Sequence, residues 1–284
     1  MEEQAERYLS GALGAVRDIV ELAHATWRMR QVFMKLRAYY NCMQGEIEES
    51  YFYDDVFFGK KSQEMVEFPK TRIDVALDMV RRERLSSGSI LRILDVGCGD
   101  GTCSKKISDM GNDVCAVDVR QGKAREASLK GIKVIVADLE KGMPFAPASF
   151  DLVYATEVLE HVYDTEFFLQ EARRVMNKNG VLIVTVPNLA CLPNRLRMIF
   201  GLYPKYIAPA RKHWGVGEHV RAFTKNMITE LLMRNGFRIE DVKANVVSFV
   251  PTRRTRKPWS KRLAKAFPGL GEILICKARV DLVS

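Results

Sequence analysis

"ILDVGCGDGTCSKKI", Ile93 to Ile107, ends an apolar run in glycines at 97, 99 and 101 and then takes up a helical pattern. Glycine at alternate positions leaves the backbone bare where a strand stops and a helix starts. That point, the crevice at the carboxyl ends of the strands, is where open α/β sheets bind ligands. A flat or narrow group packs on such a turn.

Downstream, the apolar runs "SILRILDVG", "DVCAVDV", "IKVIVADL", "SFDLVYAT" and "GVLIVTVP" alternate with helical patterns near 102–110, 121–129 and 163–177. This alternation predicts a parallel sheet covered on both faces, an α/β Rossmann-like core. After Pro187 a Pro-, Arg- and aromatic-rich stretch runs to position 222, followed by a helix ("TKNMITELLMRNG"), a strand ("FRIEDVKA") and a last strand ("GEILICKARV"). Upstream, Leu9, Leu13, Val16, Val20, Trp27, Phe33, Leu36 and Tyr40 recur at steps of mostly three or four, which predicts one or two long helices over 5–43. A further helix is expected over 62–83, and the breaker "SSGS" after it sets the expected boundary. The organisation is then an N-terminal helical extension or cap over 1–85, and a ligand-binding domain over 86–284 with a lid insertion at 188–222.

Apolar residues at 47% and charged residues at 28% are ordinary for a soluble globular protein, and no apolar run reaches the roughly 18 residues of a membrane span. The acidic N-terminus does not read as a secretory signal, and the six cysteines contain no C-x-x-C pair. A reducing, cytoplasmic setting is the expectation. The net charge of +9 is unevenly placed: residues 243–271 carry eight Lys or Arg and no acid.

Two ligands suit the glycine turn. A dinucleotide would set its pyrophosphate at the helix N-terminus and wants G-x-G-x-x-G. Here the third glycine comes one residue early and Asp95 stands just before the turn. A carboxylate there repels pyrophosphate and suits S-adenosylmethionine, which carries an ammonium and a sulfonium. Asp118, about 20 residues beyond the glycines, is placed to accept both ribose hydroxyls, and Asp138 with Leu139 lies where adenine would.

"LDVGCGDG", "VDV", "ADLEKGMPFAPASFDLVYATEVLEHV" and "GVLIVTVPN" resemble, in order, the successive motifs of class I S-adenosylmethionine-dependent methyltransferases. The resemblance covers roughly 90–280 and implies a seven-stranded, mostly parallel sheet whose last strand, 271–280, is antiparallel. It implies Asp95, Gly97 and Gly99 at the methionine portion of the cofactor, Asp118 at the ribose, and Asp138 and Leu139 at the adenine. Cys98, Val119 and Thr156 complete the implied cofactor-binding set.

Methyl transfer depends mainly on aligning the nucleophile with a sulfonium that is already a good leaving group. "TEVLEHV" carries Glu157, Glu160 and His161 at i, i+3 and i+4, the spacing of one side of a helical turn. His219 follows in "GEHVRAFT". The E-x-x-E-H turn with a later histidine is similar to the metal-binding set of ubiquinone-biosynthesis O-methyltransferases and small-RNA 2′-O-methyltransferases. By that resemblance Glu157, Glu160, His161 and His219 hold a divalent metal such as Mg²⁺, which lowers the pKa of the acceptor hydroxyl. Without metal, His161 and His219 are the candidate catalytic bases.

Arg195, Arg197, Lys205, Arg211 and Lys212, with Tyr203, Tyr206 and Trp214 among them, suit an anionic small molecule, lipid or glycan acceptor. "RRTRKPWSKRLAKAFPGLG" reads either as a short interfacial helix on an anionic membrane or as an apolar stripe packed on the sheet with its charges in water. RNA is the alternative acceptor. A non-catalytic cofactor-binding scaffold is a second alternative, and the N-terminal helices are read as a cap or a homodimer contact.

Overall fold

The computed structural model describes residues 64–199, 201, 204, 219–247 and 258–281. The expected helices over 5–43 with any dimer contact, most of the lid including His213 and Trp214, and residues 248–257 lie outside the described residues.

Helix α1 (Glu64–Ser87) leads into β1 (Arg92–Val96), α2 (Thr102–Ser108), β2 (Asp113–Asp118), α3 (Gln121–Leu129), β3 (Lys133–Val136), β4 (Phe150–Thr156) and α4 (Thr165–Val175). Then follow β5 (Met176–Pro187), α5 (Leu192–Ile199), α6 (Lys225–Arg234), β6 (Phe237–Ala244), α7 (Pro258–Ala266) and β7 (Ile273–Val280). The strands form one seven-stranded sheet in the order β3-β2-β1-β4-β5-β7-β6. Strand β7 runs antiparallel to both neighbours, and the pairs among β1 to β5 are parallel. This is the Rossmann-like class I methyltransferase architecture.

The central strands are apolar on both sides because both faces are covered. Leu94 and Val96 of β1, Val153 and Ala155 of β4, and Leu182 and Val184 of β5 meet Phe168, Leu169 and Ala172 of α4 with Ile228 and Leu232 of α6. The alternate residues Ile93, Leu152, Tyr154, Val181 and Ile183 meet Ala76, Leu77, Met79 and Val80 of α1 with Ile107 of α2. Helix α1 is therefore a covering layer of the sheet, and the compact unit holding the sheet is Met65–Ser284. "SSGS", where the sequence places the boundary, ends a helix whose apolar face is buried on the sheet.

Two stretches beyond β5 take definite form. Asn188 pairs with Phe223 in an isolated bridge, so the two ends of the intervening stretch meet. The buried Asn188 side chain donates to the carbonyls of Gly269 at 3.0 Å and Gly271 at 2.7 Å, which fixes that meeting point to the start of β7. On α7, Ala264 is buried and Leu263 packs beside Ala244 and Val247, while Lys261, Arg262 and Lys265 are exposed. The packed-stripe reading holds for these residues; Phe267, just beyond, is exposed.

An ion network ties α1 to the far edge of the sheet. Lys277 Nζ lies 2.7 Å from Glu83 and 2.9 Å from Glu240, and the Arg279 guanidinium reaches both acids as well. Burial alone would raise the Glu240 carboxyl, but hydrogen bonds from Arg279 and Lys277 hold it at about 2; Glu83 is lowered for the same reasons. Carboxylates held below their ordinary value of 4.5 stabilise the fold above it and lose that contribution as pH falls towards 2. Thermal melts from pH 6 down to pH 2.5 will show a steep loss of stability in the wild type. The Glu240→Gln variant will start lower and fall less; parallel curves would show that the network contributes nothing.

Candidate active site

The three glycines of the turn are needed for different reasons. Gly97 and Gly101 have φ of 68° and 75°, in the left-handed region, and both are hemmed in. A Cβ on Gly97 would lie 2.6 Å from Cγ2 of Val158, and one on Gly101 would lie 2.5 Å from Cβ of Ala127. Gly99, with φ of 54°, faces open space except for Nη2 of Arg120 at 4.0 Å. Of the three, Gly99 is the one whose missing side chain leaves room for a ligand.

The implied cofactor residues gather around this turn. Asp118, buried at the end of β2, accepts the Gly99 N–H at 2.8 Å on one oxygen and the Arg120 N–H at 2.8 Å on the other. The Arg120 guanidinium adds a bond to the second oxygen at 3.3 Å. Val119, next in sequence, is 59% exposed and presents an apolar surface beside Asp118. Asp95 is buried, and its carboxylate accepts from the Ser104 hydroxyl of α2. Burial raises it to about 7 against that hydrogen bond, with the charge of Asp118 adding to the rise. Cys98 is buried, and burial with the Asp95 charge pushes its thiol up to about 12, too high for thiolate chemistry at neutral pH. Asp138 caps a short 3₁₀ turn, Leu139–Lys141, by accepting the Glu140 N–H at 3.1 Å. Asp138, Leu139 and Thr156 are half-buried at strand ends.

Beyond β4 the chain makes a second 3₁₀ turn, Leu159–His161. One ligating atom each from Glu160, His161 and His219 lies within 4.8 Å of the others, and the two imidazole centroids are 5.0 Å apart. Glu160 is fully buried and neither of its carboxylate oxygens accepts a hydrogen bond. Burial, reinforced by the charge of Glu157 and opposed by Arg72, raises it to about 8. Such an acid has three remedies: a proton, a cationic imidazole or a metal ion.

Residues 94–184 match the family described as "Methyltransferase domain". Over this stretch the chain is similar to methyltransferase domains. A ubiquinone biosynthesis O-methyltransferase from Azorhizobium caulinodans is 40% identical over 109 residues, which cover 34% of this chain and 41% of that protein. A protein of the same name from Xanthomonas euvesicatoria is 28% identical over 197 residues, covering 66% and 77%. A malonyl-[acyl-carrier protein] O-methyltransferase from Legionella pneumophila is 29% identical over 135 residues, covering 45% and 47%. The chain spans less than half the length of several curated relatives it matches. The fold is shared with the magnesium protoporphyrin IX methyltransferase of Synechocystis, at a TM-score of 0.53 and 18% identity over 78% of this chain and 90% of that one. It is also shared with the cyclase SpnF, at a TM-score of 0.50 and 18% identity over 74% and 81%.

The fourth implied metal ligand is not in the group of mutually close ligating atoms formed by the other three among the described residues. Glu157 has φ of 56°, so the expected single helical turn is broken there. Its N–H meets the Thr185 carbonyl, one carboxylate oxygen accepts from the Thr185 hydroxyl at 2.9 Å, and the other lies 2.9 Å from Nη1 of Arg72. Glu157 is thus satisfied by β5 and α1. Val158 between the two acids fills the space over Gly97, so the turn and the cluster are in direct contact. Arg72, Thr185, Val158, Arg120 and Ala127 carry no motif of their own and were not singled out by sequence.

Gly101→Ala must displace Ala127 as well as adopt a left-handed backbone, and should cost about 3 kcal/mol. Gly99→Ala, with open space, should cost about 1 kcal/mol; similar melting temperatures for the two variants would contradict this ordering. In metal-free buffer, an acid raised above its ordinary value of 4.5 withdraws stability as pH climbs through about 8. Glu160→Gln will therefore gain stability relative to the wild type between pH 5 and pH 9, read from chemical denaturation at each pH.

Proposed function

We propose that this chain transfers the methyl group of S-adenosylmethionine to an oxygen of an anionic small molecule, lipid or glycan. The observation that carries this reading is the cluster of Glu160, His161 and His219 packed against the glycine turn through Val158. The named O-methyltransferases among its relatives support oxygen as the acceptor atom.

The turn and Asp118 hold the cofactor, and the cluster handles the acceptor. Asp118, with two backbone N–H groups fixing its oxygens, presents a rigid carboxylate to the ribose hydroxyls. The open side of Gly99 admits the methionine portion. An oxygen nucleophile must lose its proton as the methyl group arrives, and the paired imidazoles of His161 and His219, 5.0 Å apart, are the groups of the cluster that can accept it. The donor set also fits a divalent ion such as Mg²⁺: Glu160, with its unsatisfied carboxylate, and the two imidazoles would hold it, while Glu157 would not. When bound, such an ion lowers the pKa of a coordinated hydroxyl. Exposed Lys261, Arg262 and Lys265 on α7, followed by exposed Phe267, support an anionic lipid surface as the place where an apolar acceptor is met.

Calorimetric titration of S-adenosylhomocysteine tests the cofactor half: wild-type binding should weaken at least about tenfold in Asp118→Ala, as expected when a bidentate hydrogen-bonding carboxylate is removed. Titration of Mn²⁺ tests the metal, with binding lost in Glu160→Gln. Transfer of labelled methyl to fractionated small molecules, lipids and RNA then identifies the acceptor. Label in RNA alone would replace the proposed substrate class. A folded protein that binds no S-adenosylhomocysteine would overturn the enzymatic reading.

A further inference from the structure

His219 reaches the cluster from a segment whose contacts with the strip 160–163 come mainly from Arg221. The N–H groups of Val220 and Arg221 both donate to the Glu160 carbonyl, at 2.9 and 3.2 Å. The Arg221 side chain then turns back along the same strip: Nε donates to the Val162 carbonyl at 3.2 Å, and Nη2 donates to the Tyr163 carbonyl. Three successive contacts along Glu160, Val162 and Tyr163 thus come from a single arginine. A planar guanidinium suits this task because its donors are fixed in a fork that spans two carbonyls.

The opposite edge of the strip is held by an acid. Glu140 accepts the N–H of Tyr163 at 2.7 Å and that of Asp164 at 3.4 Å. Its own N–H is held by Asp138. Residues 159–164 are gripped on their N–H side by the segment that follows β3, and on their C=O side by the segment carrying His219. Arg221 sits two residues beyond His219, so its bonds fix the backbone from which the imidazole projects.

We propose that Arg221 is a positioning residue of the reactive cluster, the clasp that sets the His219 imidazole against Glu160 and His161. This rests on the reading of that cluster as the reactive centre. Arg221 acts through the backbone of Glu160, Val162 and Tyr163. Lysine at 221 supplies a single ammonium that can serve one carbonyl but not hold the plane, so it restores the placement only in part.

The test uses the full chain as wild type, Arg221→Ala and Arg221→Lys. Magnetisation transfer between the His161 and His219 rings reports their contact without acceptor or metal, so it stands apart from the Mn²⁺ titration that tests the reading itself. The expected result is loss of the ring-to-ring signal in Arg221→Ala, partial return in Arg221→Lys, and S-adenosylhomocysteine affinity within about twofold of wild type in both, because Asp118 and Gly99 are untouched. Where the wild type binds Mn²⁺, Arg221→Ala should weaken it about tenfold, the scale for residues that orient ligands without binding the ion. A ring-to-ring signal retained at full strength in Arg221→Ala would overturn the proposal. So would a loss of S-adenosylhomocysteine affinity equal to the loss in Mn²⁺ affinity, which would reveal general loosening of the domain.

Discussion

A Cβ on Gly97 would sit 2.6 Å from Val158 Cγ2, and that lack of room holds the two halves of the site together. The turn after β1 receives one ligand and the turn after β4 carries the polar cluster; Val158, buried, is the piece of the second that fills the space over the first. Side-chain packing of this density transmits position faithfully. The distance between the glycine turn and the polar cluster is thereby set by an apolar contact.

The two acids flanking Val158 show how environment divides identical carboxyl groups. Glu157 is held by Arg72 and Thr185 in a left-handed conformation that a non-glycine residue adopts only where its surroundings compensate it. Glu160, three residues on, is buried with no donor for either oxygen. The first is structural reinforcement reaching from α1 to β5. The second is buried without a donor, at an electrostatic cost that the first does not bear.

Much of this was legible along the chain. The glycine turn, the strand-end acids Asp95, Asp118 and Asp138, and the strand 237–244 follow from local composition and periodicity, and the structure places β6 at Phe237–Ala244. What local pattern left open was decided at long range. The i, i+3, i+4 spacing of Glu157, Glu160 and His161 presumes an unbroken helix, whereas Glu157 is drawn aside by Thr185, 28 residues later in sequence. "SSGS" marks where α1 stops but not whether its apolar face lies on the sheet. Arg72 and Arg221 belong to no motif, and only the folded arrangement brings them to the site. Asn188 was equally silent, since one asparagine after a strand says nothing of the carbonyls it will meet.

That asparagine has an effect beyond the site. Because Asn188 and Phe223 are paired and anchored to the carbonyls ahead of β7, the chain leaves the sheet and returns to it at one fixed gate. Whatever lies between is a closed excursion, and closing a longer one costs only about 0.6 kcal/mol for each doubling of length. The domain is in this sense modular: the stretch between residues 188 and 223 can change in length or composition without moving a strand.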